Sequence, residues 1–134
     1  MACPSHTNVM AGDLTLLFVH GWSCDRSYWR EQVPLFSNGF HVVLVDLAGH
    51  GESGLGRECY TMRAFAEDLV AVVDAIDAQQ VILIGHSMGG GVIAEAARLL
   101  PNRVIGLIGI DTLQDVSYSM TSEELEGMVW QSLP

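Results

Sequence analysis

The sequence predicts an α/β fold, an open and mostly parallel sheet with helices on both faces, and three observations predict it. Four apolar runs rich in β-branched residues, at 14–19, 41–46, 81–85 and 104–111, close on turn-forming residues and read as buried parallel strands. The segments between them repeat their apolar residues at helical rather than alternate spacing. The resulting order is β-α-β-α-β-α-β, that of parallel strands joined by crossover helices. With 134 residues, against roughly 100 to 200 per domain, the chain reads as a single domain over 1–134.

Each element has its own justification. Run 14–19 (LTLLFV) is nearly uninterrupted in apolar character, as a strand buried on both faces is. Segment 26–37 sets Trp29, Val33 and Phe36 on one helical face with Asp25 placed to cap its start, although Pro34 interrupts it. The clearest helix, 61–78, begins at a Thr61 cap and carries Phe65, Leu69, Val72, Val73 and Ile76 as one stripe. The helix 87–100 stops before Pro101, because a proline disfavours helical geometry in the residue ahead of it. From Thr112 the chain turns polar through Asp115, Ser117, Ser119, Thr121 and Ser122. Thr121 and Glu124 then fit a capping box, with Leu125, Met128 and Val129 at helical spacing.

Composition narrows the function. Hydrophobic residues make up 49% and charged residues 16%, so the chain can form a buried core and is not disordered. Six Lys+Arg against 16 Asp+Glu leave a net charge of −10, which repels phosphate backbones and makes nucleic acid an unsuitable partner. No apolar run approaches the roughly 18 residues of a membrane span. Residues 1–13 show neither the basic start nor the apolar stretch of a secretory signal, which places the chain in the cytoplasm by default. Cys3, Cys24 and Cys59 are odd in number and widely spaced, as free thiols are. His20, His41, His50 and His86 are too scattered for a ligand set, so no metal or other cofactor is assigned.

The chemistry is concentrated at 85–89. Gly85-His86-Ser87-Met88-Gly89 matches G-x-S-x-G between a predicted strand and a predicted helix, the context in which a serine sits on a sharp, strained turn. The flanking glycines let the chain bend tightly enough to project the Ser87 hydroxyl above the sheet edge. The free N–H groups at the start of the following helix, beginning with Met88, then face the oxyanion that attack by Ser87 would create. One such donor is typically worth about 10² to 10³ in rate.

With these residues in place, the sequence resembles the N-terminal half of an α/β-hydrolase of the serine esterase and lipase kind. GHSMGG at 85–90 is joined by His20-Gly21-Trp22 after the first strand and by Asp46-Leu47-Ala48-Gly49-His50-Gly51-Glu52-Ser53 after the second. All three stand in the family's order, and the resemblance covers roughly residues 14–112. It implies Ser87 as nucleophile and the Trp22 N–H as a second oxyanion donor beside Met88, with His20, Gly21 and His86 lining the site. Family members usually place the triad acid after a later strand and some after this one, which leaves Asp111 as the candidate acid and Asp115 behind it. Relatives that open epoxides or remove halides use Asp at the nucleophile position, so Ser87 argues against both reactions. The implied substrate is a small-molecule carboxylic ester or related acyl compound.

Other readings compete. Gly49-His50-Gly51-Glu52-Ser53-Gly54 also spells G-x-G-x-x-G after a strand, but the next helical periodicity starts only near Phe65, too late for a dinucleotide turn. His20 and His50 read as loop-ordering residues, His86 lies too close to Ser87 in sequence for a linear bond to its hydroxyl, and His41 reads as exposed. Asp46 reads as the anchor of the turn that follows it.

The departure from the family pattern is the base. No histidine follows Ser87 anywhere in the sequence, whereas the family's catalytic histidine comes last. The reading adopted is a truncated piece of a longer protein, with the histidine outside these residues and 112–134 opening a cap or lid. A separate chain carrying the remainder and a non-catalytic binding module are the alternatives. The resemblance implies that the second strand lies on one side of the first and the third and fourth on the other, so right-handed crossovers put helix 26–37 alone on one face and helices 61–78 and 87–100 on the other. The thinly covered face and the outer edge of strand 104–111 are therefore expected to meet missing segments or a second copy.

Overall fold

A computed structural model describes residues 12–112. The four apolar runs become strands β1 (Leu14–Val19), β2 (His41–Val45), β3 (Gln80–His86) and β4 (Val104–Ile110). They form one parallel sheet in the order β2-β1-β3-β4, with Leu17 opposite both Val43 and Leu83 and Ile84 opposite Ile108. This is the order expected from the resemblance. Parallel strands need long crossovers, and each crossover here passes over a face of the sheet.

Two helices carry the main crossovers, α2 (Met62–Ala75) and α3 (Met88–Leu99). Thr61 begins α2 as expected: its hydroxyl accepts the Ala64 N–H at 3.1 Å, satisfying one of the four amides that a helix start leaves unpaired. Phe65, Leu69 and Val73 of α2 and Val92, Ile93 and Ala96 of α3 are all buried against Leu17, Val19, Val81 and Leu83. Each large side chain removed from water here is worth about 1.5 to 3 kcal/mol. The alternate strand residues face the other way. Leu16, Phe18 and Ile84 form a smaller cluster with Trp29, edged by Phe40, Val42, Leu44 and Ile82.

Two expectations need correction. Segment 26–37 is not one interrupted helix. It is a 3₁₀ turn, Arg26–Trp29, followed by a single helical turn α1 (Val33–Phe36), separated by 30–32. Pro34 stands in the first turn of α1, where its missing N–H costs nothing, so it marks a start rather than a break. Asp25 does cap the 3₁₀ turn, accepting the Ser27 N–H at 2.7 Å.

Second, β4 is parallel as expected but is not buried. Ile105, Leu107, Ile108 and Ile110 are 40–55% exposed. An apolar run predicts burial only where a layer exists to bury it, and among the described residues nothing lies beyond β4 or over its end of the thinner face. The polar stretch and capping box after Thr112 lie outside the described residues. Among the described residues, no helix is long and apolar enough to cross a membrane.

Candidate active site

Ser87 sits where β3 ends and α3 begins, at the carboxyl end of a central strand. Its backbone is at φ 52, ψ −117, a region that non-glycine residues avoid and that must be held by its surroundings. Three hydrogen bonds to its backbone atoms hold it. The Ser87 N–H donates to Ile110 O at 3.1 Å, and the Ser87 carbonyl accepts the Gly90 N–H at 2.9 Å and the Thr112 hydroxyl at 2.7 Å. Although Ser87 occupies the N-cap position of α3, its hydroxyl makes no capping bond, and the residue is exposed. Among the described residues, that leaves the side chain available for other chemistry.

The glycines on either side allow the close approach. A Cβ at Gly85 would lie 2.6 Å from the Gly89 carbonyl oxygen, and one at Gly89 would lie 2.6 Å from that of Val19. Both clashes are with backbone, which cannot rotate away. The strand, the turn and the first turn of α3 thus pack at a distance that any side chain would prevent. Met88, the first residue of α3, is half-buried at the base of this turn.

The loop after β1 runs against the turn. A Cβ built on Gly21 would meet Ser87 Cβ and His86 Nδ1, each at 3.1 Å. Trp22 follows, 61% exposed, with its ring 5.8 Å from that of His50, which in turn lies 5.1 Å from the His20 ring. His20 is fully buried and bonded on both sides. The Leu47 N–H donates to its Nε2 at 3.0 Å, so the ring proton resides on Nδ1, which donates to the Gly21 carbonyl at 2.8 Å. Burial pushes its pKa below the ordinary value, with His50 adding to the effect and the Gly21 carbonyl opposing it. His20 is a neutral structural imidazole. His50 likewise bonds locally, Nδ1 lying 3.0 Å from the Ala48 carbonyl, and His41 is exposed at the start of β2.

Asp46 anchors more than its own turn. Its carboxylate accepts the Glu52 N–H at 3.0 Å, as expected of a turn anchor, and also the Arg26 N–H at 2.8 Å and the Arg26 guanidinium at 3.1 Å. Arg26 continues to Glu52. Burial disfavours the charge on Asp46, but the Arg26 and Glu52 amides and the guanidinium outweigh it and hold the carboxyl below the usual range. A Cβ at Gly51 would overlap this carboxylate, so the glycine pattern at 49–54 serves an Asp46-centred turn. The next helix begins only at Met62, which removes the dinucleotide reading.

Sequence reasoning missed Arg26 and Thr112. Nothing in their spacing marks them, since each acts across 20 or more residues. Asp111, the candidate acid, is exposed at φ 51 just beyond Ile110, whose carbonyl accepts the Ser87 N–H. A cavity of about 260 Å³ opens beside the site, lined by His20, Tyr28, Trp29, Gln32, His86 and Ile110. Among the described residues, no group of His, Cys, Asp and Glu side chains is arranged to hold a metal ion.

This architecture has a family. The profile of the alpha/beta hydrolase fold matches residues 15–134, and the chain belongs to that family. It is 34% identical over 105 residues to a non-heme chloroperoxidase of Streptomyces lividans, covering 77% of this chain and 38% of that protein. A pimeloyl-[acyl-carrier protein] methyl ester esterase of Edwardsiella ictaluri is 36% identical over 100 residues, covering 75% and 37% of the two chains. Among solved structures, a thermophilic esterase from Thermogutta terrifontis superposes with a TM-score of 0.74 at 35% identity, covering 85% of this chain and 41% of the other. The chain thus spans less than half the length of these three relatives.

Proposed function

We propose that this chain carries the nucleophile half of a serine hydrolase acting on a carboxylic ester or related acyl compound. The observation that carries the proposal is Ser87: exposed, uncapped and at φ 52, on a strand-to-helix turn of the kind known as a nucleophile elbow. In this reading the Ser87 hydroxyl attacks the carbonyl carbon and passes its proton to a histidine supplied from outside this chain. The N–H groups of Met88 and Trp22 stabilise the oxyanion. Collapse of the tetrahedral species expels the alcohol, protonated by the same histidine, and leaves an acyl-enzyme. Water then hydrolyses it to the carboxylic acid and free Ser87. Asp111 is the candidate acid that orients the histidine. An ester substrate is the simplest choice and is in keeping with the methyl ester esterase among the relatives.

A second reading rests on a specific observation, the lack of any histidine after Ser87. It makes this chain a non-catalytic binding module, or an inactive fragment, that keeps the serine as a ligand anchor. One experiment separates the two. The protein expressed from its complete reading frame is treated with a fluorophosphonate and its intact mass measured beside that of Ser87→Ala. A rapid stoichiometric adduct, absent in the variant, supports the acyl-enzyme reading. No adduct, or one that persists in Ser87→Ala, overturns it in favour of the module.

A further inference from the structure

We infer that His20 is a positioning residue that aims the Trp22 amide at the reacting centre, an inference that rests on the acyl-enzyme reading above. Three observations combine. His20 is fully buried, and the Leu47 N–H occupies its Nε2, which leaves the only ring proton on Nδ1. That proton is committed to the Gly21 carbonyl at 2.8 Å, which also accepts the Cys24 N–H at 3.2 Å. Gly21 itself is pressed against Ser87, within 3.1 Å by its missing Cβ.

The peptide bond between Gly21 and Trp22 supplies the link. It is planar and trans, so the Gly21 C=O and the Trp22 N–H point in opposite directions along one rigid plate. Holding the carbonyl toward His20 turns the amide hydrogen away from it. The loop in which this plate sits is otherwise open, with Trp22 and Ser23 exposed. His20 is a buried side chain that clamps the plate, while the Asp46 to Arg26 bonds tie down the far end of the same loop. An oxyanion donor works only if it is pre-aimed, because reorganisation during reaction would cancel its benefit. A neutral imidazole of one fixed tautomer is suited to this. An imidazolium would have to give up the Leu47 bond, since Nε2 would then carry a proton facing another donor.

Two substitutions split the two ring nitrogens. In His20→Asn the amide nitrogen falls near the position of Nδ1, so it can still donate to the Gly21 carbonyl, and the Leu47 bond is lost. In His20→Gln the side-chain oxygen reaches the Nε2 position and can accept from Leu47, and the Gly21 bond is lost. Both remove the same buried ring, and Gln fills more of its space than Asn, so packing alone would favour His20→Gln, the reverse of the order expected here. Using the protein from its complete reading frame, at a temperature where both variants are folded, the expected result is a split between them. His20→Gln loses at least roughly tenfold in kcat and in the rate of Ser87 phosphonylation at nearly constant KM, and His20→Asn stays several-fold above it. Equal losses, or His20→Gln the better of the two, overturn the inference.

Should neither variant fold, the tautomer is read in the unaltered protein from the ¹⁵N shifts of the His20 ring. A proton on Nδ1 at neutral pH supports the assignment, and one on Nε2 or on both nitrogens overturns it. An adduct that persists in Ser87→Ala sinks the acyl-enzyme reading itself. A labelled Ser87 with no difference between the two His20 variants sinks only the role given to His20.

Discussion

The two faces of the sheet are built to different standards. On one, α2 and α3 bury Phe65, Leu69, Val73, Val92 and Ile93 in a continuous core with Leu17, Val19 and Leu83. On the other, a 3₁₀ turn and a single helical turn cover only the β2 and β1 side of the sheet. The cluster of Leu16, Phe18, Trp29 and Ile84 ends where β4 begins, and Ile108 and Ile110 lie open beyond it. The same strands feed both faces, so composition does not cause the difference. Burial is decided by what is laid over a strand, and here only one face has two full helices. The candidate nucleophile is rooted in the closed face: α3, which starts beneath Ser87, is part of that core.

The largest effect should come from cutting into the closed face and comparing it with the open one. Phe65 is 1% exposed and Phe36 is 37% exposed. Phe65→Ala should cost about 3 to 5 kcal/mol through lost transfer energy and an unfilled cavity. Phe36→Ala, beside Phe18 and more than a third exposed, should cost about 1 to 2 kcal/mol. Urea midpoints at unchanged slope measure both. Similar costs for the two would mean that the open face is covered in solution.

An intermediate effect belongs to the loops that the two faces share. Asp46 holds two amides and a guanidinium, and its side chain is 4% exposed. Asp46→Asn keeps the shape but removes the charge, and should cost about 1 to 3 kcal/mol. The pH dependence gives the sign. The Asp46 carboxyl is held below its ordinary value of 3.8, so the unfolded chain binds its proton first as acid is added. The stabilisation is therefore complete above that value and is lost as pH falls through the lower, folded one. The stability gap between the parent and Asp46→Asn should narrow across that window. A gap that stays constant into strong acid would show that the carboxylate charge contributes nothing.

How much of this was legible in the sequence depends on the range over which each feature is determined. The turn at Ser87 was legible because its requirements lie within five residues: two glycines where backbones touch and a serine between a strand and a helix. The α2 stripe was legible for the same reason, with Phe65, Leu69 and Val73 all on one helical face. The strand order came from the resemblance to the hydrolase family, since periodicity says which runs are strands but not which are neighbours. Pro34 was misread because a proline that interrupts a helix and one that opens a helix look alike until the break before it is seen. The Arg26 to Asp46 bonds and the Thr112 clamp on Ser87 had no local signal, because they form only once loops distant in sequence meet.

The smallest expected effect tests the open face directly. Ile108 lies on β4 opposite Ile84 and is 48% exposed. Ile108→Thr keeps the β-branched shape that suits a strand and exchanges one apolar group for a hydroxyl. Any cost therefore reports burial and little else. With water on that side, the change should stay within about 0.5 kcal/mol, near the limit of a urea titration. A loss several times larger, close to that of a core position, would mean that Ile108 is packed in solution. The same measurement on Leu107, which faces the α3 side and is 40% exposed, would then tell whether the cover reaches one side of β4 or wraps its edge.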